Sequence, residues 1–152
     1  MEPMTKFLAV IPARGGSKGL PRKNLTLLAG KPLIEWTIDA ALSSSYINSV
    51  VVSSDCNEIL DFTSKFNVAN VNRPDHLAAD SISLMPAIQH LLDDDLVKKQ
   101  GEFQYIVLLQ PTSPLRTGLH IDEAIEKVLK SGCGGLISVN RVENKIMKYF
   151  YD

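Results

Sequence analysis

Three observations predict an α/β fold with a mostly parallel sheet and helices on both faces. Five short apolar runs recur along the chain, at 7–11, 49–53, 68–71, 105–109 and 135–139. Several are dominated by β-branched residues, as expected of strands buried on both sides. Between them lie stretches whose apolar residues repeat with helical spacing, and such alternation is the pattern of βαβ units joined into a parallel sheet. With 152 residues, 45% of them hydrophobic and 22% charged, the chain is long enough to bury one core.

The elements follow in order. Phe7–Ile11 is a strand that stops at Pro12. Residues 32–43 form a helix with Pro32 near its first turn and Ile34, Ile38, Ala41 and Leu42 on one face. Trp36 falls beside that face and reads as core. Ser49–Ser53 is the second strand. The helix at 56–66 groups Ile59, Phe62 and Phe66, with Asp55 as its N-cap. Val68–Val71 is the third strand. The helix at 82–97 groups Ile82, Met85, Ile88 and Leu92 behind Asp80 or Ser81. Its acidic run Asp93–Asp95, followed by Lys98 and Lys99, reads as a solvated helix end. Tyr105–Leu109 is the fourth strand. The helix at 118–130 aligns Ile121, Ala124, Ile125, Val128 and Leu129. It carries Asp122 and Glu123 early, Lys127 and Lys130 late, and Gly132 just beyond, as the helix dipole favours. Gly135–Val139 is the fifth strand.

Composition excludes several function classes. A net charge of −1 supplies no global field for nucleic acid. No run approaches transmembrane length, and Met1–Lys6 lacks the apolar core of a signal peptide, so no membrane partner is expected. Cys56 and Cys133 have no metal-like spacing and suit a reduced, intracellular setting. His76, His90 and His120 are scattered, which argues against a histidine-based metal or catalytic centre.

The chemistry concentrates in residues 12–24. Gly15, Gly16 and Gly19 leave backbone N–H groups open to close approach, and Arg14, Lys18, Arg22 and Lys23 gather positive charge there. A polyphosphate requires that combination. The spacing is neither that of a Walker P-loop nor that of a dinucleotide fingerprint, and Lys31 before Pro32 lacks the Ser or Thr a P-loop needs. Composition alone leaves a solvated glycine-rich loop as the alternative. The predicted topology favours the site reading, because ligands bind beyond the carboxyl ends of parallel strands. Arg14, Ser54–Asp55, Arg73, Gln110–Ser113 and Asn140–Arg141 all follow predicted strands and are expected to converge on one edge. By ordinary frequency, Arg22 and Arg116 read as surface charges or loop ion pairs, and Asp75 and Asp80 as loop caps.

Residues 8–24, Gly30–Ile34, Arg73–Pro74 and Leu109–Arg116 together resemble the acylneuraminate cytidylyltransferases, also called CMP-sialic acid synthetases. The related enzymes for legionaminic and pseudaminic acids share much of the pattern. The loop Gln110-Pro111-Thr112-Ser113-Pro114 holds no carboxylate, which is unlike the enzymes for the eight-carbon sugar Kdo. The resemblance implies a three-layer Rossmann-like sandwich of the nucleotide-diphospho-sugar transferase type. It implies transfer of CMP from CTP to a nine-carbon α-keto sugar acid, with release of pyrophosphate.

By the same resemblance Arg14, Lys18 and Lys23 are the expected catalytic cations. Gly15, Gly16, Ser17, Lys18 and Asn24 are expected around the triphosphate, and Pro12, Ala13 and Arg73 around cytosine. Gln110, Ser113 and Lys148 are the expected sugar contacts. Mg2+ is expected to arrive on CTP, because the family's metal-binding carboxylates have no counterpart in this sequence and no metal ligands can be named in it. The family is substantially longer, and Lys145–Asp152 reads as the start of an element, so a chain truncated at its C-terminus is expected. Its nucleotide-binding domain would span 1–141, and 142–152 would begin a dimerisation arm, giving a homodimer. The cytoplasm is the implied compartment, or the nucleus for an animal protein. A catalytically silent nucleotide-binding or dimerising module is the alternative from another class.

Overall fold

The computed structural model describes residues 5–16, 19–79 and 82–139. The chain divides into two compact units, Met1–Asp122 and Glu123–Asp152. The first contains the sheet. Strand β1 (Phe7–Pro12) is followed by a two-residue hairpin, β2 (Leu27–Leu28) and β3 (Lys31–Pro32), and by helix α1 (Leu33–Leu42). Next come β4 (Ile47–Ser54), α2 (Asn57–Thr63), β5 (Ala69–Asn72), α3 (Leu84–Asp93), α4 (Asp95–Lys98) and β6 (Tyr105–Leu108). Helix α5 (Gly118–Ser131) runs from the first unit into the second.

The main sheet has the order β5-β4-β1-β6, and every pair in it is parallel. The chain therefore steps outward from β1 through β4 to β5, then returns to the other side of β1. Right-handed crossovers place α1 and α2 on one face and α3–α4 on the other. The buried cluster of Leu8, Val10, Val51, Val71, Leu91 and Val97 belongs to the second face. Covered on both sides, Phe7 to Ile11 are no more than 2% exposed. Pro12 has no N–H to give the ladder, and the next donor, Ala13, bonds the Ser53 carbonyl at 2.9 Å.

Four strands and four helices stand within a few residues of their predicted positions. The exceptions have physical causes. Gly135–Val139 forms no strand, and Leu136, Ile137 and Val139 are 42%, 86% and 85% exposed. A β-capable run needs a partner ladder, and none pairs with it among the described residues. The predicted helix at 82–97 begins at Leu84 and is interrupted at Asp94, whose carboxylate accepts the Leu96 N–H at 2.8 Å and caps α4. With that later start, Met85 faces outward at 64% exposure. Asp80 and Ser81 lie outside the described residues. The hairpin escaped prediction because two-residue strands carry no periodicity. Its turn uses Ala29 and Gly30, both at positive φ. Trp36 braces it rather than filling the core: the indole N–H donates to the Leu28 carbonyl at 3.0 Å, and the Lys31 ammonium sits over the ring.

Candidate functional site

The winding of the sheet reverses between β1 and β6. In open α/β sheets the crevice beyond the strand ends at such a reversal is the ligand site. An open cleft of about 310 Å3 lies there, lined by Pro12 at the end of β1, Arg14 beyond it, and Gln110, Pro111 and Thr112 after β6. Gly16, Lys23, Asn24 and Arg73 add polar lining. Leu77, Ala78, Ala79 and Ile82, between β5 and α3, and Leu84 at the start of α3 add an apolar surface. Arg14, Lys23 and Arg73 bring three positive charges, and no carboxylate lines the cleft among the described residues. An anion carrying a flat or apolar moiety matches that lining.

The glycine-rich loop is held from beneath. The Gly15 N–H donates to Asp55 Oδ1 at 3.0 Å, and Asn24 Nδ2 donates to the Arg14 carbonyl at 2.9 Å. A Cβ at Gly15 would lie 2.7 Å from the Cβ of Cys56, so only glycine lets the loop approach the end of β4 this closely. Arg73 is 4% exposed. Its backbone N–H bonds the Ser54 carbonyl at 2.8 Å and its Nη2 reaches Asp55 Oδ1 at 3.4 Å. Its Nε is buried and has no hydrogen-bond partner. A buried guanidinium with one long contact retains donor capacity toward an acceptor in the cleft.

The structure thus brings Pro12, Arg14, Gly16, Lys23, Asn24, Arg73 and Gln110 to one cleft. Ala13 and Gly15 are not in its lining. Ser113 is not in the lining, and its carbonyl accepts the Arg116 N–H at 3.2 Å. Ser17, Lys18, Arg141 and Lys148 lie outside the described residues. Two readings of single residues change. Asp55 is not a helix cap: α2 is capped by the backbone of Cys56 with no side-chain bond, because Asp55 points to the loop. Arg116 is half-buried rather than a free surface charge: its Nη2 donates to the Gln110 carbonyl at 3.4 Å, and burial lowers its pKa from the usual guanidinium value. Arg22 does form an exposed pair, with Glu58 at 2.9 Å. The apolar lining of Leu77–Ala79, Ile82 and Leu84 is absent from the sequence prediction; its signal is Leu77-Ala78-Ala79, a few residues beyond the third predicted strand.

No cluster of His, Cys, Asp or Glu suited to a metal occurs among the described residues. With no carboxylate in the cleft lining, these residues do not fit a protein-held Mg2+. No described helix is long and apolar enough to cross a membrane.

Known proteins place these features in context. A CMP-N,N'-diacetyllegionaminic acid synthase of Legionella pneumophila is 46% identical over 126 residues, covering 80% of this chain and 52% of its own length. An N-acylneuraminate cytidylyltransferase of Escherichia coli is 39% identical over 122 residues, 80% of this chain and 28% of its own. A pseudaminic acid cytidylyltransferase of Campylobacter jejuni is 34% identical over 148 residues, 96% of this chain and 63% of its own. The chain thus spans between about a quarter and two thirds of these relatives. Among solved structures, a CMP:2-keto-3-deoxy-manno-octonic acid synthetase complexed with CTP superposes with a TM-score of 0.70 at 22% identity. It covers 85% of this chain and 49% of that one, which shows the shared fold. Residues 8–148 match the family described as cytidylyltransferase, and the chain belongs to that family.

Proposed function

We propose that this chain is the nucleotide-binding part of an enzyme that couples CTP to an N-acylneuraminate, giving the CMP-sugar and pyrophosphate. The observation that carries the reading is the cleft itself. It stands at the winding reversal, with three cations, an apolar surface and no carboxylate in its described lining.

In the reaction the anomeric hydroxyl of the sugar acid attacks the α-phosphorus and pyrophosphate leaves. Such transfers need placement and charge neutralisation rather than covalent help from the protein. Arg14 and Lys23 neutralise the triphosphate, joined by Lys18. The loop at Gly15, Gly16 and Ser17 cradles the phosphates, with Gly16 and Ser17 supplying N–H donors while the Gly15 N–H is held by Asp55, and Asn24 fixes the loop through the Arg14 carbonyl. Arg73 and the backbone at Pro12–Ala13 read the cytosine, against the apolar lining of Leu77–Ala79, Ile82 and Leu84. Gln110 and Ser113 take the sugar, and Lys148 reaches the sugar site of a second copy in a homodimer. Residues 1–141 serve as the nucleotide-binding part and 142–152 begin the dimerisation arm. Mg2+ would arrive with CTP rather than on carboxylates of this cleft. The compartment that suits this reading is the cytoplasm.

The second reading is the sister activity on legionaminic acid, favoured by the 46% identity of the Legionella relative against 39% for the E. coli one. One experiment addresses both. CTP affinity is measured by calorimetry, and pyrophosphate release is followed with CTP, Mg2+ and each of the N-acetylneuraminic, legionaminic and pseudaminic acids. Release with one acid identifies the substrate. CTP binding without release in any of them leaves a nucleotide-binding module, and no CTP binding refutes the assignment.

A further inference from the structure

We propose that Asp55 is a positioning residue that couples the two ends of the nucleotide site. The inference rests on the CTP reading above. A single oxygen, Asp55 Oδ1, accepts both the Gly15 N–H at 3.0 Å and Arg73 Nη2 at 3.4 Å. The first partner belongs to the triphosphate loop after β1 and the second to the end of β5.

Sheet order explains why this residue can do so. β4 lies between β1 and β5, and Asp55 is the first residue beyond β4, so it alone follows a strand that neighbours both. The carboxylate is not spent on capping α2. Side-chain exposures of 18% for Asp55 and 4% for Arg73 keep the pair from being a screened surface contact. Arg73 Nε is buried without a partner, and a base acceptor meeting it would draw the guanidinium into a defined place. The long Nη2 contact has room to shorten, which holds the Asp55 carboxylate in one position and with it the Gly15 N–H at the triphosphate end. Occupancy at the base end thereby tightens the loop at the other.

Two measurements test this. In nitrogen-15-labelled protein without nucleotide, Arg73→Lys is expected to shift the Gly15 amide resonance and change its exchange protection, and to do neither in an Asp55→Asn background. By calorimetry, saturating cytidine is expected to raise the affinity for inorganic triphosphate in the parent but not in Asp55→Asn. That isostere still accepts the Gly15 N–H but lacks the charge. CTP affinity should fall roughly 10–100-fold in Asp55→Asn, the usual range for losing a charged hydrogen bond to a buried group. Inorganic triphosphate alone should lose less. A Gly15 amide indifferent to Arg73→Lys overturns the proposal, and this readout survives even if Asp55→Asn fails to fold. So does tight CTP binding by the parent that Asp55→Asn leaves unchanged, which would spare the CTP assignment. A parent that binds no CTP refutes both together.

Discussion

Replacing Gly15 by alanine should disable the loop through a contact of 2.7 Å. The new Cβ would meet the Cys56 Cβ at that distance and its Sγ at 3.2 Å, whereas ordinary contact begins near 3.4 Å. Relief requires about 0.7 Å of movement. Cys56 is fixed by its own backbone, which caps α2 and donates its N–H to Ser54 Oγ, so the loop must move. Taken wholly by the loop, that shift stretches the 3.0 Å Gly15–Asp55 bond to about 3.7 Å, beyond hydrogen-bonding range. Overpacking costs about 1–3 kcal/mol, and two Cβ atoms at 2.7 Å belong in the upper half of that range. The lower entropy of an unfolded chain carrying Ala offsets up to about 1 kcal/mol. The net is about 1–2 kcal/mol, or a Tm lower by roughly 2–8 °C for a chain this long. CTP affinity should fall by about tenfold or more as the loop, freed from Asp55, loses its placement. Adding Cys56→Gly should restore both, whereas Cys56→Ala keeps the 2.7 Å contact and should restore little. A Gly15→Ala protein with unchanged Tm and CTP affinity, or equal rescue by both second changes, would refute the close-approach argument.

Other substitutions separate site from scaffold. Gly118→Ala places a Cβ 2.9 Å from the Ser43 backbone, so thermal melting should show a loss of about 1–3 kcal/mol while CTP affinity stays put. Arg14→Ala should do the reverse, lowering CTP affinity roughly 10–100-fold, the scale of one charged hydrogen bond, with a smaller change in Tm. Asp122 supplies a pH test. Burial alone would raise its pKa, but hydrogen bonds from Ser44, Ser45 and Tyr46 outweigh that and hold it below the ordinary 3.8. A carboxyl depressed on folding stabilises above its unfolded value and loses that contribution as pH falls through the folded one. The Tm gap between parent and Asp122→Asn should therefore be constant near neutrality and close as pH drops below about 3.8. A gap that widens in acid would contradict the assignment.

Much of this molecule was legible in the chain because its main signals are local. Phe7–Ile11 is an apolar run ending in a proline, and it became the central strand of the sheet. The rule for carboxyl ends then predicted Arg14, Arg73 and Gln110 at one edge, and they share a cleft. The failures came where the deciding partner is remote. Gly135–Val139 has strand composition, yet a strand exists only with a neighbouring ladder. Asp55 stands one residue before a helical pattern, which looks like a cap until Gly15 and Arg73 arrive from 40 and 18 residues away.

The succession of strands and helices along the chain, the family motifs and the concentration of positive charge between residues 12 and 24 are all written in the order of the amino acids. Hydrophobic period and turn chemistry are local properties and can be counted along a chain. Only the tertiary structure decided that β1 lies between β4 and β6, and therefore where the winding reverses and the cleft opens. Only it decided that Gly15 must be glycine because Cys56 lies against it, and that one oxygen of Asp55 serves both the loop and Arg73. Those facts depend on which distant residues become neighbours, and sheet order sets that.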